Sequence, residues 1–220
     1  MWVRAAALAA VLWVTGLAAG RGSAQSGAGA NASLPIAYQI SGVTHIYQGW
    51  NNCGPTTLAM ALSFWGRSET QRQLAPILKP DPDDKHVALW EMEDYIASIG
   101  LSSIVRPNGT LIRLKALLEA GFPVIVPTWY VRDARDQLGH YRLIVGYDDA
   151  AGEFILYDSL EGPETPISYR ELDELWRVYN RTYLVVYPPE RAEALADVLG
   201  ADLDPVAVEL TYGLERILIA

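Results

Sequence analysis

The sequence predicts an α+β fold, with helices in the first half of the chain and a mostly antiparallel sheet in the second. Apolar residues recur at helical spacing as far as Gly121, whereas from Phe122 onward they form short runs typical of strands. Two of these runs flank a turn at 148–152, as in an antiparallel hairpin. With 220 residues, half of them hydrophobic, the chain can bury a sizeable core.

Apolar spacing predicts four helices before the sheet, and three of them stop at a glycine, which suits the residue that follows a helix. The four are predicted from Cys53 to Gly66, at 68–78, at 89–99 before Gly100, and at 111–118 before Gly121. The polar segment 79–86 is predicted to be a solvated loop. It holds three aspartates, but their spacing does not match a calcium site.

Short apolar runs predict five strands, at 43–47, 122–129, 141–147, 154–157 and 182–187. The segment 129–138 is expected to be a long charged loop that leads into His140. A further helix is predicted at 168–176, where Ser168 and Glu171 have the spacing of a capping box. Two more helices are expected at about 190–199 and 205–219.

The first 24 residues have the features of a secretory signal peptide. Arg4 precedes an apolar stretch at 5–19, and small residues at 22–24 offer a cleavage site. The expected organisation is a signal peptide at 1–24, a flexible lead-in at 25–34, one domain at 35–188 and a helical tail at 189–220. The protein is therefore expected to be exported, either secreted or in the cell envelope. If the first segment is not cleaved, it would act as a membrane anchor instead.

The chain is acidic, and this limits its partners. Its formal net charge is −9, which becomes −11 without residues 1–24, because they contain Arg4 and Arg21 and no acid. An acidic chain without a basic stripe argues against nucleic acid as a partner. No stable membrane insertion is expected once the N-terminal segment is removed. The sequence shows no cofactor-binding or metal-ligand pattern, so neither a cofactor nor a metal is expected.

Cys53 is the only cysteine in the chain, so it cannot form an internal disulfide. In an exported protein a lone thiol is either reactive or paired with another molecule. Pro55 suits the first turn of a helix, which places Cys53 at the helix N-terminus. The helix dipole lowers the pKa of a thiol at that position. The alternative is that Cys53 is a small buried apolar residue, as many free cysteines are.

A thiol nucleophile needs a base, and the base needs a group that orients it. His140 follows Gly139 at the start of a predicted strand, and Asp158 ends the next strand. Antiparallel pairing places the start of the first strand beside the end of the second, so His140 and Asp158 are predicted to be neighbours. Gln48 is a candidate donor to an oxyanion, together with the backbone N–H of Cys53. The alternative for the His–Asp pair is a structural contact at a sheet end.

Three aromatic residues are candidates for substrate binding: Trp50, beside the candidate nucleophile, and Trp129 and Tyr130, before His140. The alternative is that their rings pack in the core.

Several motifs occur in an order that resembles a known family. They are Gln48 followed by Asn52-Cys53-Gly54-Pro55-Thr56, then Gly121-Phe-Pro-Val-Ile-Val126, Gly139-His140-Tyr141, Val145-Gly146-Tyr147-Asp148 and Tyr157-Asp158. Over about residues 35–188 the chain resembles the bacteriocin-processing (double-glycine leader) peptidase-like branch of the papain-like cysteine peptidases. The resemblance implies a papain-like fold, with the nucleophile helix packed on an antiparallel sheet, and a peptide substrate.

The same resemblance implies a role for each of four residues. Gln48 would be the oxyanion donor and Cys53 the nucleophile. His140 would be the general base and acid, and Asp158 the group that orients it. Unlike the best-known members of the family, which are fused to a membrane transporter and cut leader peptides after paired glycines, this sequence contains no transporter.

The sequence thus predicts an exported cysteine peptidase that hydrolyses a peptide bond through an acyl-cysteine intermediate. Two alternatives stay open. One is a thiol amide hydrolase or acyltransferase that acts on cell-wall or small-molecule amides. The other is a non-catalytic binding domain on a peptidase fold, since a fold does not fix a function.

Overall fold

A seven-stranded sheet forms the centre of the computed structural model, which describes residues 34–81, 83–133 and 135–200. The strands are β1 (Ala37–Gln39), β2 (Ser102–Arg106), β3 (Val124–Asp133), β4 (Asp136–Asp148), β5 (Glu153–Asp158), β6 (Gly162–Ser168) and β7 (Tyr183–Tyr187). Their order is β2-β7-β3-β4-β5-β6, and every pair is antiparallel. Strand β1 pairs with the end of β4 that extends beyond β3.

Helices cover both faces of the sheet. They are α1 (Cys53–Phe64), α2 (Gln71–Leu78), α3 (Leu89–Ser98), α4 (Leu111–Glu119), α5 (Tyr169–Trp176) and α6 (Ala192–Leu199). Helices α1–α3 share one apolar core with the sheet, and α4–α6 share the other. The α+β prediction is therefore confirmed, and the helix that begins at Cys53 packs on the antiparallel sheet.

The two cores follow from the alternation of side chains along buried strands. In β3, Val124 and Val126 belong to the core of α4–α6, whereas Ile125 between them belongs to the core of α1–α3. In β4, Ile144 and Leu143 divide in the same way. Both faces are buried, so these strands appear in the sequence as continuous apolar runs.

Helix ends match the sequence signals closely. Gly66, Gly100 and Gly121 all have positive φ, which only glycine adopts at low cost. The hydroxyl of Ser168 accepts a hydrogen bond from the N–H of Glu171 and caps α5. Of the two helices expected after residue 189, the first corresponds to α6, and the second, at 205–219, lies outside the described residues, as do residues 1–33.

The strand predicted at 43–47 is wrong. Ile40 still donates its N–H to the carbonyl of Val145, but Gly42, with φ of 92°, turns the chain away from the sheet. The following segment is instead held by single contacts, including the Gln48 N–H to the Ser159 carbonyl at 2.9 Å. The segment therefore crosses the end of β5 without forming a ladder.

The loop predicted at 129–138 is also wrong, because β3 and β4 continue through it as a hairpin. Val131 pairs with Gln137, and Asp133 pairs with Asp136, with an irregularity between the two pairs. His140 consequently lies inside β4 rather than at its start. Strands β1, β2 and β6 are absent from the sequence prediction. Strand β1 has only three residues, and Ser102 and Ser103 in β2 and the prolines in β6 obscure the apolar signal.

Gly146 is required where β1 meets β4. The pairing of β4 with β5 shifts register between Ile144 and Gly146, and β1 approaches from the other side. A Cβ at Gly146 would lie 2.7 Å from the backbone oxygen of Tyr38. Any side chain there would displace β1.

Candidate active site

Cys53 is the first residue of α1 and is partly buried. The helix behind it is buried from Gly54 to Leu62, because β3 and β4 lie on one side of it and α2 on the other. The side chain of Asn52, the residue before the helix, makes no capping hydrogen bond, which leaves N–H groups of the first turn available near the thiol. The predicted position of the thiol at a helix start is confirmed.

The pKa values of Cys53 and His140 shift in opposite directions. Burial raises the pKa of the Cys53 thiol, but the His140 side chain and the backbone N–H groups of Tyr141 and Gly54 outweigh it, so the pKa is lowered. Burial lowers the pKa of His140, but Asp158 and Cys53 outweigh it, so that pKa is raised. Both shifts favour a thiolate–imidazolium pair.

His140 and Asp158 are in direct contact, as predicted. The His140 Nε2–H donates to Asp158 Oδ1 at 2.9 Å, and both side chains are fully buried. An ionised carboxylate can only accept, so the proton of neutral His140 sits on Nε2. The other ring nitrogen, Nδ1, is buried and forms no hydrogen bond of ordinary geometry among the described residues, and Cys53 is the group besides Asp158 that interacts with the ring. It is therefore the nitrogen that can exchange a proton with Cys53.

The Asp158 carboxylate accepts four hydrogen bonds. Besides His140, the N–H groups of Leu160 and Glu161 bond Oδ1 at 2.8 and 3.2 Å, and the Nε–H of Arg142 bonds Oδ2 at 2.9 Å. Burial raises the pKa of Asp158, but these donors and the two nearby cations lower it well below its usual range. These contacts therefore favour the ionised form of Asp158.

Gln48 is held by a residue that the sequence analysis missed. Its backbone N–H donates to the Ser159 carbonyl at 2.9 Å, and its Oε1 accepts the Ser159 hydroxyl at 2.7 Å. With Oε1 occupied, the Nε2 of Gln48 is the group left free to donate. Ser159 directly follows Asp158, but nothing in the sequence indicated that it would reach Gln48.

Gln71, at the start of α2, holds the loop on either side of Gln48. Its Nε2 donates to the Tyr47 carbonyl at 2.8 Å, and its Oε1 accepts the Gly49 N–H at 2.6 Å. The same Oε1 accepts the Asn52 side chain at 3.2 Å. This side chain therefore fixes the segment between Gln48 and the nucleophile, a contact that only the tertiary structure reveals.

The space that Gly139 leaves beside His140 is filled by Tyr179. A Cβ on Gly139 would lie 2.5 Å from the Tyr179 hydroxyl. Burial and the charge of Cys53 raise the pKa of Tyr179. Tyr179 belongs to a 3₁₀ helix at Arg177–Tyr179, after α5.

The three candidate aromatic residues occupy different environments. Trp50, in the loop before Cys53, is 90% exposed. Trp129 is half-buried, and its indole N–H donates to Gln137 across the hairpin. Tyr130 is buried, with its ring centroid 5.2 Å from that of His140 and its hydroxyl bonded to Glu161. Trp50 and Trp129 can contact a ligand directly, whereas Tyr130 packs against the base.

The other two histidines do not approach the thiol as a base would. His45 Nε2–H donates to the backbone carbonyl of Asp158 at 2.8 Å, and its ring packs on Tyr47 and Tyr157. His86 lies exposed in the polar loop. Within the described ranges no group of three His, Cys, Asp or Glu residues could hold a metal ion.

The arrangement has the parts needed for acyl transfer. A thiol at a helix N-terminus faces a histidine that is oriented by a buried carboxylate. The side-chain amide of Gln48 is held by Ser159, the residue that follows Asp158.

Comparisons with known proteins identify the family of the chain. Residues 34–184 match the Peptidase_C39 like family. No curated protein matches the chain.

Three solved structures illustrate the shared fold. The peptidase domain of Streptococcus ComA, a bi-functional ABC transporter involved in a quorum-sensing pathway, is 15% identical with a TM-score of 0.54, covering 67% of this chain and 99% of that domain. Xylellain, a cysteine protease from Xylella fastidiosa, is 12% identical with a TM-score of 0.55, covering 71% of this chain and 87% of that protein. A double-glycine-motif protease from an AMS/PCAT transporter, solved with its leader peptide, is 18% identical with a TM-score of 0.52, covering 69% and 94%.

At these identities the structures establish a papain-like fold, and the family match, which spans more than half of the sequence, adds the class of protein. The chain belongs to the Peptidase_C39 like family and is a cysteine peptidase-like hydrolase.

Proposed function

We propose that the protein is an exported cysteine peptidase that hydrolyses a peptide bond through an acyl-cysteine intermediate. The observation that carries this proposal is the set of contacts at His140. Asp158 accepts its Nε2–H, which leaves a buried and unbonded Nδ1 for the proton of Cys53. A histidine with only a structural role would not need a free ring nitrogen in a buried site.

In the proposed reaction the Cys53 thiolate attacks the carbonyl carbon of the scissile bond. The negative charge that develops on the carbonyl oxygen is met by the Gln48 amide and the Cys53 backbone N–H. His140 then donates its Nδ1 proton to the leaving nitrogen, the C–N bond breaks, and a thioester to Cys53 remains. His140 next takes a proton from water, the hydroxide attacks the thioester, and the carboxylic acid product leaves as the thiolate re-forms.

The substrate that this site fits best is an extended, roughly neutral peptide with a small residue at the cut. Exposed Trp50 and half-buried Trp129 offer aromatic contacts. The hairpin that contains Trp129 carries Arg132, Asp133, Arg135 and Asp136, so its formal charges balance. A peptide substrate is supported by the double-glycine-motif protease of similar fold, which was solved in complex with a leader peptide.

Export is the second part of the proposal. The apolar segment at 5–19, which Arg4 precedes and small residues at 22–24 follow, supports a signal peptide. Among the residues that the structure describes, none of the helices has the length and apolar character needed to cross a membrane.

The first prediction concerns thiol reactivity. Because the pKa of Cys53 is lowered and that of His140 is raised, thiolate exists at a pH where a free cysteine is protonated. Iodoacetamide should label the folded protein at pH 6 faster than it labels a cysteine peptide, and His140→Ala should abolish that advantage. His86→Ala is the matched control. A wild-type rate no faster than the peptide's would favour the buried-residue alternative.

The second prediction concerns the oxyanion. Gln48→Ala should lower kcat by about 10²–10³, because one of two preorganised donors is lost. The iodoacetamide rate should stay at the wild-type level, since alkylation forms no oxyanion. Gln39→Ala, an exposed glutamine in β1, serves as the control. An unchanged kcat for Gln48→Ala would remove Gln48 from the proposed mechanism.

The third prediction tests the function itself. A peptide library offered to the wild-type enzyme should yield cleavage at small residues, and mass spectrometry should detect an acyl group on Cys53. Cys53→Ser is the negative control. Turnover of cell-wall or small-molecule amides alone would support the amide hydrolase or acyltransferase alternative. Peptide binding with no acyl-enzyme would support the binding-domain alternative.

The fourth prediction concerns export. A signal peptidase should remove the first 24 residues, so N-terminal sequencing of the exported protein should begin near Gln25. A protein that keeps Met1 and needs detergent for extraction would be an anchored one.

A further inference from the structure

Arg142 is a buried cation next to the catalytic pair, and the proposed mechanism does not use it. It follows His140 by two residues on β4 and is only 6% exposed. Its Nε–H donates to Asp158 Oδ2 at 2.9 Å, and its Nη1 donates to the Thr128 hydroxyl at 2.7 Å. Burying an arginine is costly unless its charge is paired, and here Asp158 pairs the charge while two of the guanidinium N–H groups are bonded.

The contacts of Arg142 lead back to His140 by two routes. One route runs through the carboxylate, whose Oδ1 binds His140 while Oδ2 binds Arg142. The other runs through Thr128, whose hydroxyl donates to the backbone carbonyl of His140 at 3.1 Å. The Tyr130 ring lies against both side chains, with its centroid 5.4 Å from the Arg142 guanidinium carbon and 5.2 Å from the His140 ring centroid.

Orienting a histidine requires only one acceptor, and Asp158 supplies it without Arg142. What Arg142 adds is a permanent positive charge. This charge keeps Asp158 ionised whether or not His140 is protonated. It also reduces the negative field that Asp158 exerts on the imidazole, so it opposes the imidazolium form.

We propose that Arg142 is a positioning residue that sets the upper pH limit of the Cys53–His140 ion pair by neutralising part of the charge of Asp158. The proposal rests on the proposed peptidase mechanism for its functional meaning. The effect of the Arg142 charge on His140 can be tested on the protein without substrate.

The sign of the effect follows from removing a positive charge. Without it, protonated His140 becomes more favourable, so the pKa of His140 rises further and the ion pair persists to higher pH. Cys53 is not bonded to Arg142 or to Asp158, so we expect its pKa to rise by less. The Arg142 charge and the His140 ring are separated by the Asp158 carboxylate. For a charge at that separation, we expect its removal to raise the pKa of His140 by about one unit.

Other charged and titratable groups lie near Arg142 and Asp158. Arg142, Asp158, Tyr130, Glu161 and Glu171 line a cavity of about 230 Å³. His45 donates to the Asp158 carbonyl, and the Arg132 guanidinium lies 5.9 Å from the Tyr130 ring centroid. Because these groups are unchanged in variants at position 142, the difference between the wild-type and variant titrations isolates Arg142.

The test is an NMR titration of the His140 ring, assigned by comparison with His140→Ala, combined with the pH profile of iodoacetamide alkylation. Arg142→Gln removes the charge and keeps an N–H donor, and Arg142→Met removes both. Each should move the His140 transition up by about one pH unit. Arg142→Lys, which keeps the charge, should leave it within a few tenths of a unit. Arg170→Gln, an exposed site on α5, controls for loss of a distant charge.

The outcomes separate this role from a structural one. A merely structural Arg142 would lower the melting temperature in all three variants and leave the His140 transition in place, which would overturn the proposal. A downward shift in Arg142→Gln, or an equal shift in Arg142→Lys, would also overturn it. If one neutral variant does not fold, the other variant and Arg142→Lys still decide the question. Failure of the wild type to cleave any peptide would overturn the proposed function alone, because the titration does not need a substrate.

Discussion

The buried carboxylate of Asp158 is the interaction on which the site depends. A carboxylate without solvent is stable only if donors surround it, and here four N–H groups do so. One of these donors is the imidazole of His140, so satisfying the carboxylate also fixes the base. The hydrogen-bonded ring then presents Nδ1 toward the thiol. The same contacts that stabilise the buried Asp158 carboxylate therefore orient the His140 ring.

The end of β5 supports both halves of the proposed chemistry. Asp158 holds His140, and Ser159, the next residue, holds Gln48 through its hydroxyl and its carbonyl. Successive residues at a strand end point in different directions, so one turn can serve the base on one side and the amide donor on the other. The separation between the His140 ring and the Gln48 amide is thus set by backbone geometry and not by flexible side chains. Such fixed donors are what stabilise charge in a transition state.

Local signals in the sequence were sufficient for much of this architecture. The glycines at positions 66, 100 and 121 end helices because positive φ is a property of the single residue. The helix start at Cys53 and the turn at 148–152 depend on neighbouring residues in the same way. From that hairpin the contact between His140 and Asp158 could be predicted, because antiparallel pairing fixes which residues meet. Strands β2 and β6 could not be predicted in this way, because serines in β2 and prolines in β6 interrupt the apolar pattern.

What the sequence by itself determined was the α+β class, the helices that the structure describes and the candidates for the reactive residues. The reactions that cysteine, histidine, aspartate and glutamine side chains can perform follow from the residue type. Their order and spacing are visible in the sequence. Only the tertiary structure decided what supports them. Arg142, Thr128, Ser159 and Gln71 are ordinary polar residues until the sheet brings them together, and their partners are 12 to 111 positions away in sequence. The energy of a buried polar group depends on all the donors and acceptors around it at once, and that set exists only after the chain has folded.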